Sequence, residues 1–212
     1  MLLCAQVPIM RMNLPNQITV GRFFIAIIFL VLLTLFDVAD RERLMWMLDL
    51  AFVLFVIAGL SDILDGYLAR RSNQVTSFGR ILDPFVDKIL VVGAFVLLLG
   101  RGFRDGHGTS VTGLQAWMVL IIVGRELLVS GLRGFSESQG KAYAANWWGK
   151  IKMVTQSTTV GWVIMSVGRW RDMGWIRDGR STMIWAMLVL TVASVVAYLF
   201  ASREALAERS RD

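Results

Sequence analysis

The sequence predicts an all-α integral membrane protein, and its long apolar segments are the main reason. Hydrophobic residues make up 56% of the 212-residue chain and charged residues only 18%, against roughly 45–50% and about 25% in soluble domains. The apolar residues form six segments, each close to the ~20 residues that cross a bilayer as a helix. None alternates with a period of two, which argues against strands. We place the six transmembrane helices at about 16–37, 44–70, 76–101, 111–137, 146–170 and 181–203.

Short polar connectors join these segments, so we expect one polytopic membrane domain over residues 1–212. We expect residues 1–12 to be disordered or to precede the native start, because Met10 and Met12 are alternative initiators. Cys4 is the only cysteine, which excludes a disulfide within the chain. The only histidine, His107, falls in a connector and is expected to be solvated rather than a base or a zinc ligand.

The distribution of basic residues predicts the orientation of the chain. An even number of spans places both termini on one side, and lysine and arginine are more numerous on that side. The positive-inside rule therefore places both termini in the cytoplasm and the protein in the cytoplasmic (inner) membrane. The basic residues lie at the ends of apolar segments and form no stripe, so the net charge of +6 indicates contact with membrane lipids. We expect no nucleic-acid partner.

The most informative stretch is SDILDGYLARRSNQVTSFGRILDPFVDK, residues 61–88. Asp62 and Asp65 are three residues apart, and Asp83 and Asp87 are four apart, so each pair shares one face of a helix. Because a short connector joins the two helices, we expect them to be antiparallel neighbours. The four carboxylates would then converge near one membrane surface.

Four carboxylates at the edge of a bilayer need a counter-charge. Each ionised aspartate costs about 2.5–3.5 kcal/mol at mid-bilayer on insertion scales, and the four repel one another. Hard oxygen ligands suit Mg²⁺ or Mn²⁺, and two such ions could hold a diphosphate for in-line displacement at phosphorus. Small residues that let a bulky ligand approach are Gly66, Ala69 and Gly79. Side chains suited to binding phosphate are Arg70, Thr76 and Ser77.

The spacing D-x2-D-G-x2-A-R-x8-G-x3-D-x3-D is matched at every fixed position from Asp62 to Asp87. On this motif the chain resembles the CDP-alcohol phosphatidyltransferase family. The resemblance implies six transmembrane helices, a homodimer and a site open to the cytoplasm. It implies that Asp62, Asp65 and Asp83 bind one metal ion and that Asp62, Asp83 and Asp87 bind a second. Asp87 would also act as the general base, and Gly66, Arg70 and Thr76 would contact the CDP group.

Three flanking segments narrow the resemblance. They are NLPNQITVGR at 13–22, GRELLVSGLR at 124–133 and WWGKIKMVTQ at 147–156. They resemble the branch of the family that converts CDP-diacylglycerol and sn-glycerol 3-phosphate into phosphatidylglycerophosphate and CMP, although Met153 stands where threonine is usual. The residues expected to bind CDP-diacylglycerol are then Asn16, Thr19, Arg22, Gly66, Arg70, Thr76, Ser77 and Gly79. The acceptor's phosphate needs cations, and the candidates are Arg125, Arg133, Lys150 and Lys152.

Two other functions stay open on the sequence. A cardiolipin synthase of the same family would use phosphatidylglycerol as its acceptor, and a groove open to lipid would favour it. A cationic pocket would favour the small phosphorylated acceptor instead. A transporter or channel would use intramembrane carboxylates to carry a cation or protons. Clustering of the acids at one membrane face argues against this last reading.

Overall fold

The computed structural model describes the backbone of residues 14–72, 77–138 and 147–207, and the side chains of 17–64, 82–135, 149 and 151–199. Over these residues the chain forms six long helices. They are α1 (Leu14–Leu35), α2 (Arg41–Ser72), α3 (Ser77–Leu97), α4 (Ala116–Ser138), α5 (Trp147–Val167) and α6 (Gly174–Ala207). No β-strand occurs in this described part of the chain. The all-α prediction is confirmed.

The helices follow the predicted segments, with two clear differences at their ends. Helix α6 begins at Gly174, well before the predicted 181. The polar sequence of its first turns predicts a connector, yet a helix can continue into water beyond the hydrocarbon. Helix α4 begins only at Ala116, because the preceding residues form a loop. In that loop the Asp105 carboxylate accepts from the backbone N–H of Thr109 at 2.8 Å, and Gly113 has a φ of 76°.

The outer surface of the bundle is that of a membrane protein. Leu120, Leu127 and Val154 are 71%, 70% and 66% exposed, and many other large apolar side chains point outward. Soluble proteins rarely expose so large an apolar area. Among the described residues, three segments are long and apolar enough to cross a membrane, namely Gln17–Leu35, Val38–Leu64 and Gly174–Leu199. The remaining helices α3, α4 and α5 carry charged residues of the predicted site, among them Asp83, Arg125 and Lys152.

Helix α1 packs against both α2 and α3. The Phe29 ring lies 5.4 Å from the ring of Phe55 on α2. Leu30 approaches Gly93 on α3 so closely that a Cβ there would lie 3.0 Å from a Leu30 methyl group. Within the described residues, α1 thus forms the main contacts of both α2 and α3. The expectation that α2 and α3 are antiparallel neighbours stays a prediction, since the residues that join them lie outside the described part of the chain.

Contacts at the two ends of the bundle fix the direction of the helices. At one end, the Arg41 guanidinium at the start of α2 donates to the carbonyls of Val167 and Gly168, at 3.1 and 2.8 Å. These bonds cap the C-terminus of α5, whose last carbonyls have no partner within the helix. At the opposite end, where α5 begins and α2 ends, Arg22 near the start of α1 contacts Asp62 on α2 and Asp83 near the start of α3. The starts of α1 and α3 therefore lie at that end too. We call this opposite end the site end, because Asp62 and Asp83 lie near it.

Candidate functional site

Three helices contribute to an acidic centre at the site end, which consists of Asp62, Asp83 and Asp87. Arg22 on α1 joins two of these residues. Its Nη1 donates to Asp62 Oδ1 on α2, and its Nη2 donates to Asp83 Oδ1 on α3 at 3.3 Å. These partners are 40 and 61 residues from Arg22 in the sequence. The acids of the two helices thus come together around a guanidinium that α1 supplies.

Thr19 supports this arrangement from one turn earlier on α1. Its Oγ1 donates to Asp83 Oδ1 at 2.7 Å. Thr19 and Arg22 are each only 2% exposed, whereas the side chains of Asp62 and Asp83 are 30% and 43% exposed. Buried donors thus fix the carboxylates of Asp62 and Asp83 from one side, and the exposed side of each carboxylate stays accessible to a ligand.

The acidic centre has the donor chemistry of a divalent metal site. Asp87 lies one helical turn beyond Asp83 and close enough to Asp62 for their charges to interact. Carboxylate oxygens are the ligands that Mg²⁺ and Mn²⁺ prefer. The Arg22 guanidinium shows that a cation is accepted beside Asp62 and Asp83. Within the described side chains, no three acidic, histidine or cysteine residues are close enough to hold an ion. An ion bound here would draw the carboxylates closer together.

A basic cluster lies next to the acidic centre and consists of Arg125, Glu126 and Lys152. Glu126 Oε1 accepts from Arg125 Nη1 at 3.1 Å and also from Lys152 Nζ. Arg125 Nε donates to Ser194 at 3.0 Å, and its guanidinium lies 5.6 Å from the ring centre of Tyr198. All three charged side chains are nearly buried. Two cations thus share one carboxylate in an environment of low dielectric, where charges need partners.

A small cavity connects the acidic centre with the basic cluster. Its described lining comprises Asp87, Lys88, Val91, Val92, Glu126, Lys152, Met153 and Gln156. Lys88 follows Asp87 on α3 and donates to the Ser130 hydroxyl on α4. The lining thus combines the carboxylates of Asp87 and Glu126 with the ammonium groups of Lys88 and Lys152 around one space. That arrangement suits a ligand with both a hydroxyl and a phosphate.

The structure brings some of the predicted site residues together and leaves others apart. Thr19, Arg22, Asp62, Asp83 and Asp87 lie at the acidic centre, and Arg125 and Lys152 share the basic cluster. Arg133 is exposed, farther along α4, and is not among the described residues that line the cavity. The candidates Asn16, Asp65, Gly66, Arg70, Thr76, Ser77, Gly79 and Lys150 lie outside the described residues or side chains.

Two residues lie at the site although the sequence pattern does not predict them there. Lys88 lines the cavity, although its position directly after Asp87 was the only signal for it. Glu126 pairs with two cations, Arg125 and Lys152. Glu126 and Lys152 are 26 residues apart in the sequence, so the pattern alone does not predict their contact.

We expect Glu126→Ala to destabilise the protein strongly, because it leaves two buried cations without their shared carboxylate. The loss should be about 3–5 kcal/mol in the free energy of unfolding. Chemical unfolding in detergent, followed by tryptophan fluorescence, measures this loss. Asp49→Ala is the matched control, since Asp49 pairs with Arg169 in an exposed ion pair at 2.6 Å. Its loss should stay within about 1 kcal/mol. Equal losses in the two variants would contradict a structural role for Glu126.

The fold and the site define a helical membrane protein with an acidic centre and a basic cluster side by side at one end. A model of the CDP-alcohol phosphatidyltransferase family matches residues 12–196. The chain belongs to this family of transferases.

Relatives in two bacteria are similar over nearly the whole chain. The CDP-diacylglycerol–glycerol-3-phosphate 3-phosphatidyltransferase of Escherichia coli K12 is 34% identical over 202 residues, 94% of this chain and 100% of the relative. The protein of the same name in Salmonella typhimurium LT2 is 33% identical over 196 residues, 92% of this chain and 97% of the relative. These similarities cover both the acidic centre and the basic cluster.

Proposed function

We propose that the protein transfers the phosphatidyl group of CDP-diacylglycerol to sn-glycerol 3-phosphate, giving phosphatidylglycerophosphate and CMP in phospholipid biosynthesis. The observation that carries this proposal is that Asp87, Lys88 and Lys152 line one cavity together. This cavity provides a base for a hydroxyl and cations for a phosphate in one place. The names of the relatives agree with this reaction.

The residues of the acidic centre act on the donor substrate. The predicted metal ligands are Asp62, Asp65, Asp83 and Asp87, for two Mg²⁺ or Mn²⁺ ions. Bound ions would neutralise the diphosphate of CDP-diacylglycerol and stabilise the charge of the departing CMP. The partial exposure of Asp62 and Asp83 supports this proposal, because a ligand can reach both carboxylates. The remaining residues proposed to hold the donor are Asn16, Thr19, Arg22, Gly66, Arg70, Thr76, Ser77 and Gly79.

Asp87 acts on the acceptor. Its carboxylate takes the proton from the 1-hydroxyl of glycerol 3-phosphate as the oxygen attacks the phosphorus that bears diacylglycerol. A phosphorus–oxygen bond forms to the acceptor, and the bond from the same phosphorus to the CMP oxygen breaks. Such a site accelerates the reaction mainly by positioning the two substrates and by stabilising charge.

The basic cluster favours a phosphorylated acceptor over a lipid one. Arg125 and Lys152 are nearly buried, and Glu126 balances only one of their two charges. With Lys88 in the cavity wall, positive charge remains for an incoming phosphate. Arg133 and Lys150 are proposed to add to this positive potential. Phosphatidylglycerol, the acceptor of a cardiolipin synthase, would have to place its diacylglycerol portion beside these charges.

We further propose that all six helices span the cytoplasmic membrane, in one domain with both termini and the site on the cytoplasmic side. The apolar outer surface supports the six spans, and the excess of lysine and arginine at the site end supports the orientation. The substrates agree with it, since glycerol 3-phosphate and CMP are soluble and charged. Assembly as a homodimer remains a prediction.

Release of CMP by the purified protein tests the proposed reaction. We expect release from CDP-diacylglycerol only when Mg²⁺ or Mn²⁺ and glycerol 3-phosphate are both present, and loss of activity on addition of EDTA. Phosphatidylglycerol, inositol phosphate and serine serve as control acceptors under the same conditions. Full activity in EDTA would contradict the metal site. A preference for phosphatidylglycerol would identify a cardiolipin synthase instead.

A further inference from the structure

We propose that Arg22 is the resident counter-cation of the acidic centre and competes with the divalent metal for Asp62 and Asp83. This inference rests on the proposed function, which assigns metal to those carboxylates. The guanidinium contacts one oxygen of each residue, on two different helices. It therefore neutralises the same carboxylates that the proposed function assigns to the metal.

Burial explains why Arg22 is held there. The residue is 2% exposed, and a buried guanidinium is stable only with anionic partners. The two carboxylates in turn need a cation near the membrane edge. Each group thus neutralises the other, and Arg22 is a counter-charge that the chain itself supplies.

A divalent ion and the guanidinium oppose each other at this position. Mg²⁺ binds carboxylate oxygens at about 2.0–2.1 Å, whereas Arg22 Nη2 lies 3.3 Å from Asp83 Oδ1 and spans the gap to Asp62 through a wide planar group. A metal ion would draw the two carboxylates together and repel the adjacent positive charge. Thr19 donates to the same Asp83 oxygen at 2.7 Å and can hold this carboxylate when Arg22 turns away.

Once displaced from Asp62 and Asp83, Arg22 can bind a different anion at the site end. The diphosphate of CDP-diacylglycerol is an anion with which a guanidinium released from Asp62 and Asp83 could pair. Arginine binds phosphate oxygens through two parallel hydrogen bonds. Displaced from the two carboxylates, Arg22 would therefore be available to hold the donor substrate.

The first test is metal binding without substrate. Free Mn²⁺ is titrated by electron paramagnetic resonance against detergent-purified wild type, Arg22→Gln, Arg22→Met and Arg22→Lys. We expect the neutral variants to bind Mn²⁺ roughly tenfold more tightly, because a nearby positive charge is gone. Arg22→Lys should stay near the wild type. Arg169→Met is the control, since it removes an exposed arginine at the other end of the bundle.

The second test uses thermal stability and separates competition from simple structural support. In EDTA the melting temperature of Arg22→Gln should lie below that of the wild type. Saturating Mn²⁺ should raise it by a larger increment than in the wild type, because the ion restores the missing counter-charge. An equal increment in both proteins would assign Arg22 a purely structural role and overturn the inference.

The two proposals fail in different ways. If the wild type binds no Mn²⁺ and releases CMP without it, the metal site of the proposed function fails. If the wild type binds Mn²⁺, Asp83→Asn abolishes that binding, and the neutral Arg22 variants bind it equally or more weakly, the proposed function stands. In that case Arg22 supports the metal ligands, and the competition inferred here is wrong.

Discussion

Replacing Asp83 with asparagine is expected to lower the rate of CMP release by at least about a hundredfold to a thousandfold. Asparagine has nearly the same shape, and its amide oxygen can still accept from Thr19, which now donates to Asp83 at 2.7 Å. What is lost is the negative charge that pairs with Arg22 and would bind the metal. Initial rates at saturating CDP-diacylglycerol, glycerol 3-phosphate and Mn²⁺ measure the effect. Circular dichroism establishes that the variant is still folded.

Asp49→Asn is the matched control for this experiment. Asp49 and Asp62 both lie on α2. At a helical rise of 1.5 Å per residue, they are about 20 Å apart along the helix. Asp49 pairs with the exposed Arg169 at 2.6 Å, far from the cavity. We expect this variant to keep its activity within about twofold. A folded Asp83→Asn protein that retains the wild-type rate would remove Asp83 from the site.

Replacing Lys152 with methionine is expected to raise the KM for glycerol 3-phosphate by about tenfold to a hundredfold, since a hydrogen bond to a charged group contributes about 1.5–3 kcal/mol. Lys152 lines the cavity next to Asp87, and its ammonium group pairs with Glu126. Methionine keeps the length of the side chain and removes the charge. The KM for CDP-diacylglycerol should change by less than about twofold, because the lost contact concerns the acceptor alone. Steady-state kinetics with each substrate varied in turn measure both values.

Two comparisons make the Lys152 result specific. Arg169→Met removes a cation at the other end of the bundle and should change neither KM. Lys150→Ala is expected to shift the KM for glycerol 3-phosphate in the same direction as Lys152→Met. An equal rise of both KM values in Lys152→Met would place Lys152 outside the acceptor pocket. Its role would then be to stabilise the bundle through Glu126.

The helices of this structure could be predicted from the sequence because a membrane restricts the backbone conformations that a chain can adopt. Apolar segments of about 20 residues must form helices there, since no water is present to bond the backbone. The fixed spacing of Asp62 to Asp65 and of Asp83 to Asp87 places each pair on one continuous helix. The same motif identified the family, which the comparisons confirm.

The ends of the helices could not be predicted equally well. A helix stops where capping groups and loop contacts stop it, and hydropathy does not report these. Helix α6 therefore extends beyond its apolar part, to Gly174, and the loop around Asp105 delays α4 to Ala116.

The sequence by itself determined the helical class, the family and the face of the helix on which each acidic pair lies. Only the tertiary structure decided that Arg22 reaches Asp62 and Asp83, and that Glu126 bridges Arg125 and Lys152. Periodicity fixes the direction of a side chain from its own helix axis. Which partner it meets depends on how whole helices pack, and many small apolar contacts between residues distant in sequence set that packing.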